Sequence, residues 1–204
     1  MTGPEHAGTS RWRVHGERSL YESPWLSLRL LDVEQPDGRR YEHHAVRQPV
    51  PAACCLVLRD GPDGQEEVLL LGRHRVVTGT WGWEVPAGRV EPGETPAEAA
   101  ARETREETGW EVADVRHLSG FHPVGGSADH RFEVCAARAV RQVADHDPVE
   151  ADGLVWAPRA HVRRLVREGL VVEGLSLVAL LWWLADLGPG LSGRGGAGAP
   201  RRGS

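Results

Sequence analysis

The chain has 204 residues, 40% of them hydrophobic, with 24 basic against 29 acidic residues and a net charge of −5. That length supports one mid-sized domain with a small addition, and the apolar share is enough to bury a core. The acidic balance argues against a nucleic-acid binder, which normally carries a basic face.

In chain order, residues 1–10 are polar and read as a flexible N-terminus, with no signal-peptide pattern. Residues 11–49 read as a small β subdomain. In it Ser27 to Val33 runs into the turn Pro36-Asp37-Gly38, and Arg40 to Val46 returns as a hairpin. So few apolar residues do not stabilise a hairpin alone, so it is expected to pack on the main domain, on a second copy, or on both. The main domain is expected over 50–187. Ala52 to Arg59 reads as a buried strand, and within it Cys54 and Cys55 read as small buried hydrophobes, like the distant Cys135. Glu67 to Gly72 reads as the next strand, and a helix is expected over 96–108. Strands follow near 111–121, 131–140 and 153–157, and helices at about 159–168 and 174–187. The apolar run Leu175 to Leu184 is too short to span a bilayer, so no membrane contact and a cytoplasmic location are expected. Residues 188–204, rich in Gly, Pro, Ser and Arg, read as a disordered tail.

The chemistry concentrates in residues 88–110, GRVEPGETPAEAAARETREETGW. Thr95 suits a helix N-cap, Pro96 the first helical position and Glu98 the reciprocal capping partner, while Gly109 suits the stop. On that helix Glu103, Glu106 and Glu107 share one face at offsets i, i+3 and i+4. Like charges so placed destabilise a helix, whereas a hard divalent cation reverses the sign of the effect. Three clustered glutamates alone are more often a solvated acidic face. The full spacing G-x5-E-x7-R-E-x-x-E-E-x-G, carried by Gly88, Glu94, Arg102, Glu103, Glu106, Glu107 and Gly109, arises by chance at only about 10⁻⁵ for the whole chain.

This spacing resembles the box of the Nudix hydrolases, which cleave nucleoside diphosphates linked to another moiety. Thr104 and Trp110 depart from the generally aliphatic residues of that box, at positions that read as packing sites. The resemblance is nearest to the ADP-ribose pyrophosphatase-like branch, through Tyr21-Glu-Ser-Pro-Trp25, Arg73-His-Arg75, Trp81-Gly-Trp-Glu84-Val-Pro-Ala-Gly and Trp156-Ala-Pro158. It implies an α/β/α sandwich with a mixed sheet, preceded by N-terminal strands that commonly exchange across a homodimer. It implies Mg²⁺, with Mn²⁺ as a substitute, held by the Ala87 carbonyl, Glu103, Glu106 and Glu107. The catalytic residues so implied are Glu106, Glu107 and Glu150, the last in the acidic loop Asp145-His-Asp147-Pro-Val-Glu150. Two further acids of the pattern are replaced here by Pro148 and His130. Arg75, Arg47 and Glu84 are the implied substrate contacts, and Trp81 or Trp83 is a candidate to stack on a base.

The activity implied is hydrolysis of a nucleoside diphosphate sugar, with ADP-ribose leading to AMP and ribose 5-phosphate. A GDP-sugar, a dinucleotide or a damaged nucleoside triphosphate are the rival substrates. A catalytically silent nucleotide sensor is the rival from another class.

Overall fold

The computed structural model describes residues 11–187, so the expected mobile N-terminus and tail lie outside the described residues. Contacts divide the chain into two compact units. One comprises the residues up to Ala52 with Gly120–Phe132, and the other Ala53–Ser119 with the residues from Glu133 onward.

The first unit is a three-stranded antiparallel sheet of β1 (Arg13–Glu22), β2 (Ser27–Glu34) and β3 (Arg40–Arg47), in the order β1-β2-β3. Its hairpin turns where Pro36-Asp37-Gly38 was expected to turn it. Gly38 supplies a φ of +86°, and the Asp37 carboxylate accepts the Arg39 N–H at 3.0 Å. Leu31, Val33 and Ala45 form a buried cluster, and all ten residues of β1 are exposed. Residues 120–132 belong with this unit rather than with the main domain expected from sequence. The end of β3 binds them through backbone bonds from Val46 to Ser127 and from Asp129 to Val46.

The second unit is built on a seven-stranded mixed sheet. The strands are β4 (Ala52–Asp60), β5 (Glu66–Arg75), β6 (Thr80–Glu84), β7 (Ala87–Arg89), β8 (Trp110–Phe121), β9 (Phe132–Gln142) and β10 (Gly153–Pro158). The order is β10-β5-β4-β9-β8, with β6 on β5 and β7 on β4. The short strands β6 and β7 were not foreseen, and β5 runs on to Arg75 past its expected end at Gly72. Three helices follow the expected places: α1 (Pro96–Thr108), α2 (Arg159–Arg167) and α3 (Gly174–Leu184).

Strand alternation makes the sandwich. Ala53, Cys55 and Val57 of β4 join Leu69, Cys135 and Ala137 in one core with Ala99 and Ala100 of α1. The alanines let the helix approach closely. Trp110 and Trp156 pack edge to face at 5.1 Å against the same core, so the unusual Trp110 is a packing residue. Thr104 is fully buried and donates its hydroxyl to the Ala100 carbonyl at 2.7 Å, which removes the cost of burying it. The alternate residues Cys54, Leu56 and Leu58 are equally buried, as are Val162 and Leu165 of α2 and Leu180 and Trp183 of α3. All three cysteines are free and buried, and burial pushes the Cys55 thiol up to about 12 and Cys135 up to about 11. Among the described residues no helix is long and apolar enough to cross a membrane.

Candidate active site

The helix α1 begins and ends as its residues dictate. Thr95 and Glu98 form the reciprocal cap, with the Glu98 N–H on Thr95 Oγ1 at 3.3 Å and the Thr95 N–H on Glu98 Oε2 at 2.7 Å. Gly109 ends it at φ +71°, donating to the Arg105 carbonyl. A side chain at Gly109 would also overlap the Ala144 carbonyl, so this glycine is required for space as well as for φ.

Arg102 ties the preceding loop to the helix. Its Nε and Nη2 donate to the two oxygens of Glu94 at 2.8 and 3.0 Å, and Nη2 also donates to the Arg89 carbonyl at 2.9 Å. Its Nη1 donates to Glu103 at 2.8 Å and to Glu106 at 3.0 Å. The hydrogen bond from Arg102 and the Glu91 N–H hold the Glu94 carboxyl down at about 2. Glu94 is thus the structural glutamate of the box.

The turn ahead of the helix is fixed from both sides. The Val85 N–H donates to the Ser176 hydroxyl at 3.2 Å, and the Pro86 carbonyl accepts from Cys55 at 2.9 Å. The Ala87 N–H then donates to Glu107 Oε2 at 3.0 Å. Next to it Gly88 lies against Glu103 so closely that a Cβ there would overlap the carboxylate.

These elements bring Ala87, Glu103, Glu106 and Glu107 together with Arg73, Arg75, Asp147 and Glu150 around an open cavity of about 340 Å³. Glu107 is 6% exposed at its side chain, and burial pushes its carboxyl up to about 7 against the pull of Arg73. Burial also raises Glu103. Arg75 lies 41% exposed, and the buried Glu84 accepts it through both oxygens. Glu84 therefore meets the cavity through Arg75. Glu150 reaches the cavity from its loop with half its side chain exposed. Arg47 stands in the N-terminal unit, where it bonds Glu17 at 2.9 Å and Asp129 at 3.3 Å. Trp81 and Trp83 pair with His74 and Gly72, whereas Arg73 and Arg75 alternate to the other face of β5.

Sequence reasoning missed Arg73 and Asp147. Arg73 is buried and donates to Glu107 at 2.6 Å, lies 3.2 Å from the Glu150 carboxylate, and donates to the Glu150 carbonyl at 2.7 Å. The available signal was its place two residues before Arg75 on one strand.

Among the described residues no three His, Cys, Asp or Glu side chains form a ready metal cage, and arginines engage Glu103, Glu106 and Glu107. The donor chemistry nevertheless fits a hard divalent cation. It consists of carboxylate oxygens beside the Ala87 backbone, and the missing side chain at Gly88 lets the backbone approach Glu103.

Comparison with known proteins agrees with this geometry. Residues 48–174 match the NUDIX domain, and residues 12–46 match the nucleoside diphosphate sugar hydrolase N-terminal domain. The chain is 37% identical over 172 residues to a CMP-5'-(N-acetyl-N-hydroxy-3-aminopropyl)phosphonate hydrolase of Streptomyces rubellomurinus, covering 84% of this chain and 81% of that protein. It is 31% identical over 169 residues to an ADP-ribose pyrophosphatase of Mycobacterium tuberculosis, covering 80% and 78%. A crystal structure of an ADP compounds hydrolase superposes with a TM-score of 0.75 at 20% identity, covering 89% of this chain and 98% of that one, a likeness of fold. The box, the sandwich and these matches agree: the chain belongs to the Nudix family and is a pyrophosphohydrolase.

Proposed function

We propose that this protein is a divalent-metal-dependent hydrolase of nucleoside diphosphate sugars, with ADP-ribose as the leading substrate, giving AMP and ribose 5-phosphate. The carrying observation is the pairing of Arg75, fixed by Glu84, with Glu103, Glu106 and Glu107 in one cavity. A fixed guanidinium beside a carboxylate cluster suits a diphosphate that arrives with its cation.

Glu103, Glu106, Glu107 and the Ala87 carbonyl are the residues that would hold Mg²⁺, or Mn²⁺ in its place. Such an ion supplies charge neutralisation at the diphosphate and a lowered water pKa. Arg75 orients the phosphate oxygens. Glu150 takes the proton of the attacking water as the water oxygen bonds to one phosphorus and the bridging P–O bond breaks. The departing phosphate leaves with the bridging oxygen. Arg47 is assigned to substrate through the N-terminal sheet, which pairs with a second copy in a homodimer. The exposed β1, with Val14 and Tyr21 among its residues, supports that pairing.

A second reading has a specific support. The relative at 37% identity is named for a CMP-linked phosphonate, so a cytidine nucleotide joined to a phosphorus acid is the rival substrate. A panel of ADP-ribose, GDP- and CDP-sugars, CMP-linked phosphonates, dinucleotides and oxidised nucleoside triphosphates with Mg²⁺ decides, with products identified by chromatography. Fastest release of AMP from ADP-ribose supports the first reading. Preference for the cytidine compounds replaces it, and tight binding without any turnover marks a sensor.

A further inference from the structure

Arg73 stands near the end of β5 with only 7% of its side chain exposed. A buried guanidinium must have its charge answered, because an unpaired buried ion is strongly destabilising. Here the answers come from two elements remote in sequence. Nη2 donates to Glu107 on α1 at 2.6 Å and lies 3.2 Å from the Glu150 carboxylate, while Nε donates to the Glu150 backbone carbonyl at 2.7 Å.

The loop that carries Glu150 is otherwise tied by its backbone and by Trp81, whose indole N–H donates to the Asp152 carboxylate at 2.7 Å. Val143 donates to the Gly109 carbonyl at 2.8 Å, Asp147 to the Glu107 carbonyl at 3.3 Å, and Asp152 to the Gly72 carbonyl at 2.8 Å. Within the loop, Glu150 and Ala151 donate back to the Asp147 carbonyl. The Asp147 bond joins the loop to the Glu107 backbone but does not fix the Glu150 carboxylate beside that of Glu107, and two carboxylates repel when brought together. The shared guanidinium does both jobs.

We propose that Arg73 is a positioning residue that clamps the Glu150 loop to Glu107, setting the candidate base relative to the metal-binding helix before substrate enters. The clamp rests on the hydrolase reading for its catalytic meaning. It requires the planar fork of arginine, since one arm goes to a carbonyl and the other to carboxylates, and a lysine ammonium on a single stem lacks that geometry.

The test uses the full-length protein with Arg73→Lys, Glu150→Gln and the double variant, read by hydrogen exchange, thermal melting and steady-state kinetics. In Arg73→Lys the amides of residues 147–152 are expected to exchange at least tenfold faster, while α1 keeps its protection. The kcat is expected to fall tenfold or more with KM changed less than threefold. The double variant is expected to lose no more than Glu150→Gln alone, because Arg73 acts through Glu150. Unchanged loop protection in Arg73→Lys, or kinetic losses that multiply in the double variant, would overturn the clamp. If Arg73→Lys folds poorly, Glu150→Gln carries the exchange test, since its side chain is half exposed. Faster exchange of its loop supports the clamp, and an unaltered loop overturns it. If the wild-type protein turns over no phosphoanhydride, the hydrolase reading fails, and the exchange result still decides the clamp.

Discussion

Glu84 is buried to 1% exposure and accepts Arg75 through both of its oxygens, at 3.0 and 2.5 Å. A bidentate carboxylate fixes the guanidinium plane as well as its charge. Arg75→Ala is therefore expected to lower kcat/KM by roughly 10- to 100-fold, the worth of one charge-assisted hydrogen bond. Glu84→Gln retains one acceptor and should lose less. Steady-state kinetics on the preferred substrate decides, and equal activity of Arg75→Ala and wild type removes Arg75 from the site.

Glu103→Gln and Glu107→Gln are each expected to cut turnover by on the order of 10³-fold or more with the circular dichroism spectrum unchanged. Calorimetric titration with Mg²⁺ should show weakened binding in both. Full activity in the two variants would refute the metal assignment.

The Glu107 carboxyl titrates near 7, above its ordinary 4.5, because burial outweighs Arg73. The sign follows. The unfolded chain ionises this group first, so its contribution to stability is complete below about 4.5 and is lost as pH rises through about 7. A divalent cation needs the ionised form and competes with that proton. The rise in Tm produced by Mg²⁺ is therefore expected to grow from pH 6 to pH 8. Thermal melts at the two pH values, with and without the ion, measure it, and an equal rise at both contradicts the burial of Glu107.

Two glycines of the box fail differently when given a side chain. At Gly109 a Cβ meets the Ala144 backbone and φ is +71°, so Gly109→Ala should destabilise by more than about 2 kcal/mol. At Gly88 the obstacle is the movable end of Glu103. Gly88→Ala should therefore keep most of its stability and lose activity. Denaturant unfolding and turnover assays of both variants separate the cases.

The homodimer proposal predicts twice the chain mass in sedimentation equilibrium. Val14→Asp with Tyr21→Asp, both exposed on β1, should shift the protein toward the monomer. A monomeric wild type would contradict it.

What could be foreseen from sequence divides along physical lines. The helix from Pro96 to Thr108 was legible to the residue because its cap, its first-turn proline and its stop are local chemistry within a few positions. Buried β4 was legible from an unbroken apolar run. Arg73 was not, because its two partners lie 34 and 77 residues away and only the assembled sheet brings them to it. Strand β6 escaped notice because its five residues, Thr80 to Glu84, carry a glycine at the centre and too short a pattern to show alternation. The register that sends Trp81 and Trp83 to the face opposite Arg75 exists only once β6 has paired with β5. Assignment of residues 120–132 to the N-terminal unit likewise depends on backbone bonds to Val46, which no side-chain pattern announces.

The loop from Val143 to Asp152 hangs at each end on a backbone hydrogen bond, to Gly109 at one side and to Gly72 at the other. Between those anchors two side chains are held: the Glu150 carboxylate lies 3.2 Å from the buried Arg73, and the Asp147 carboxylate accepts the Val149 N–H at 2.8 Å. The loop is thus a frame with fixed ends and a fixed charge at Glu150: substitution at an exposed position such as Val149 leaves the helix, its carboxylates and the sheet beneath in place. An engineer altering the loop would begin at Val149, which is 88% exposed, and leave Glu150 and the helix alone.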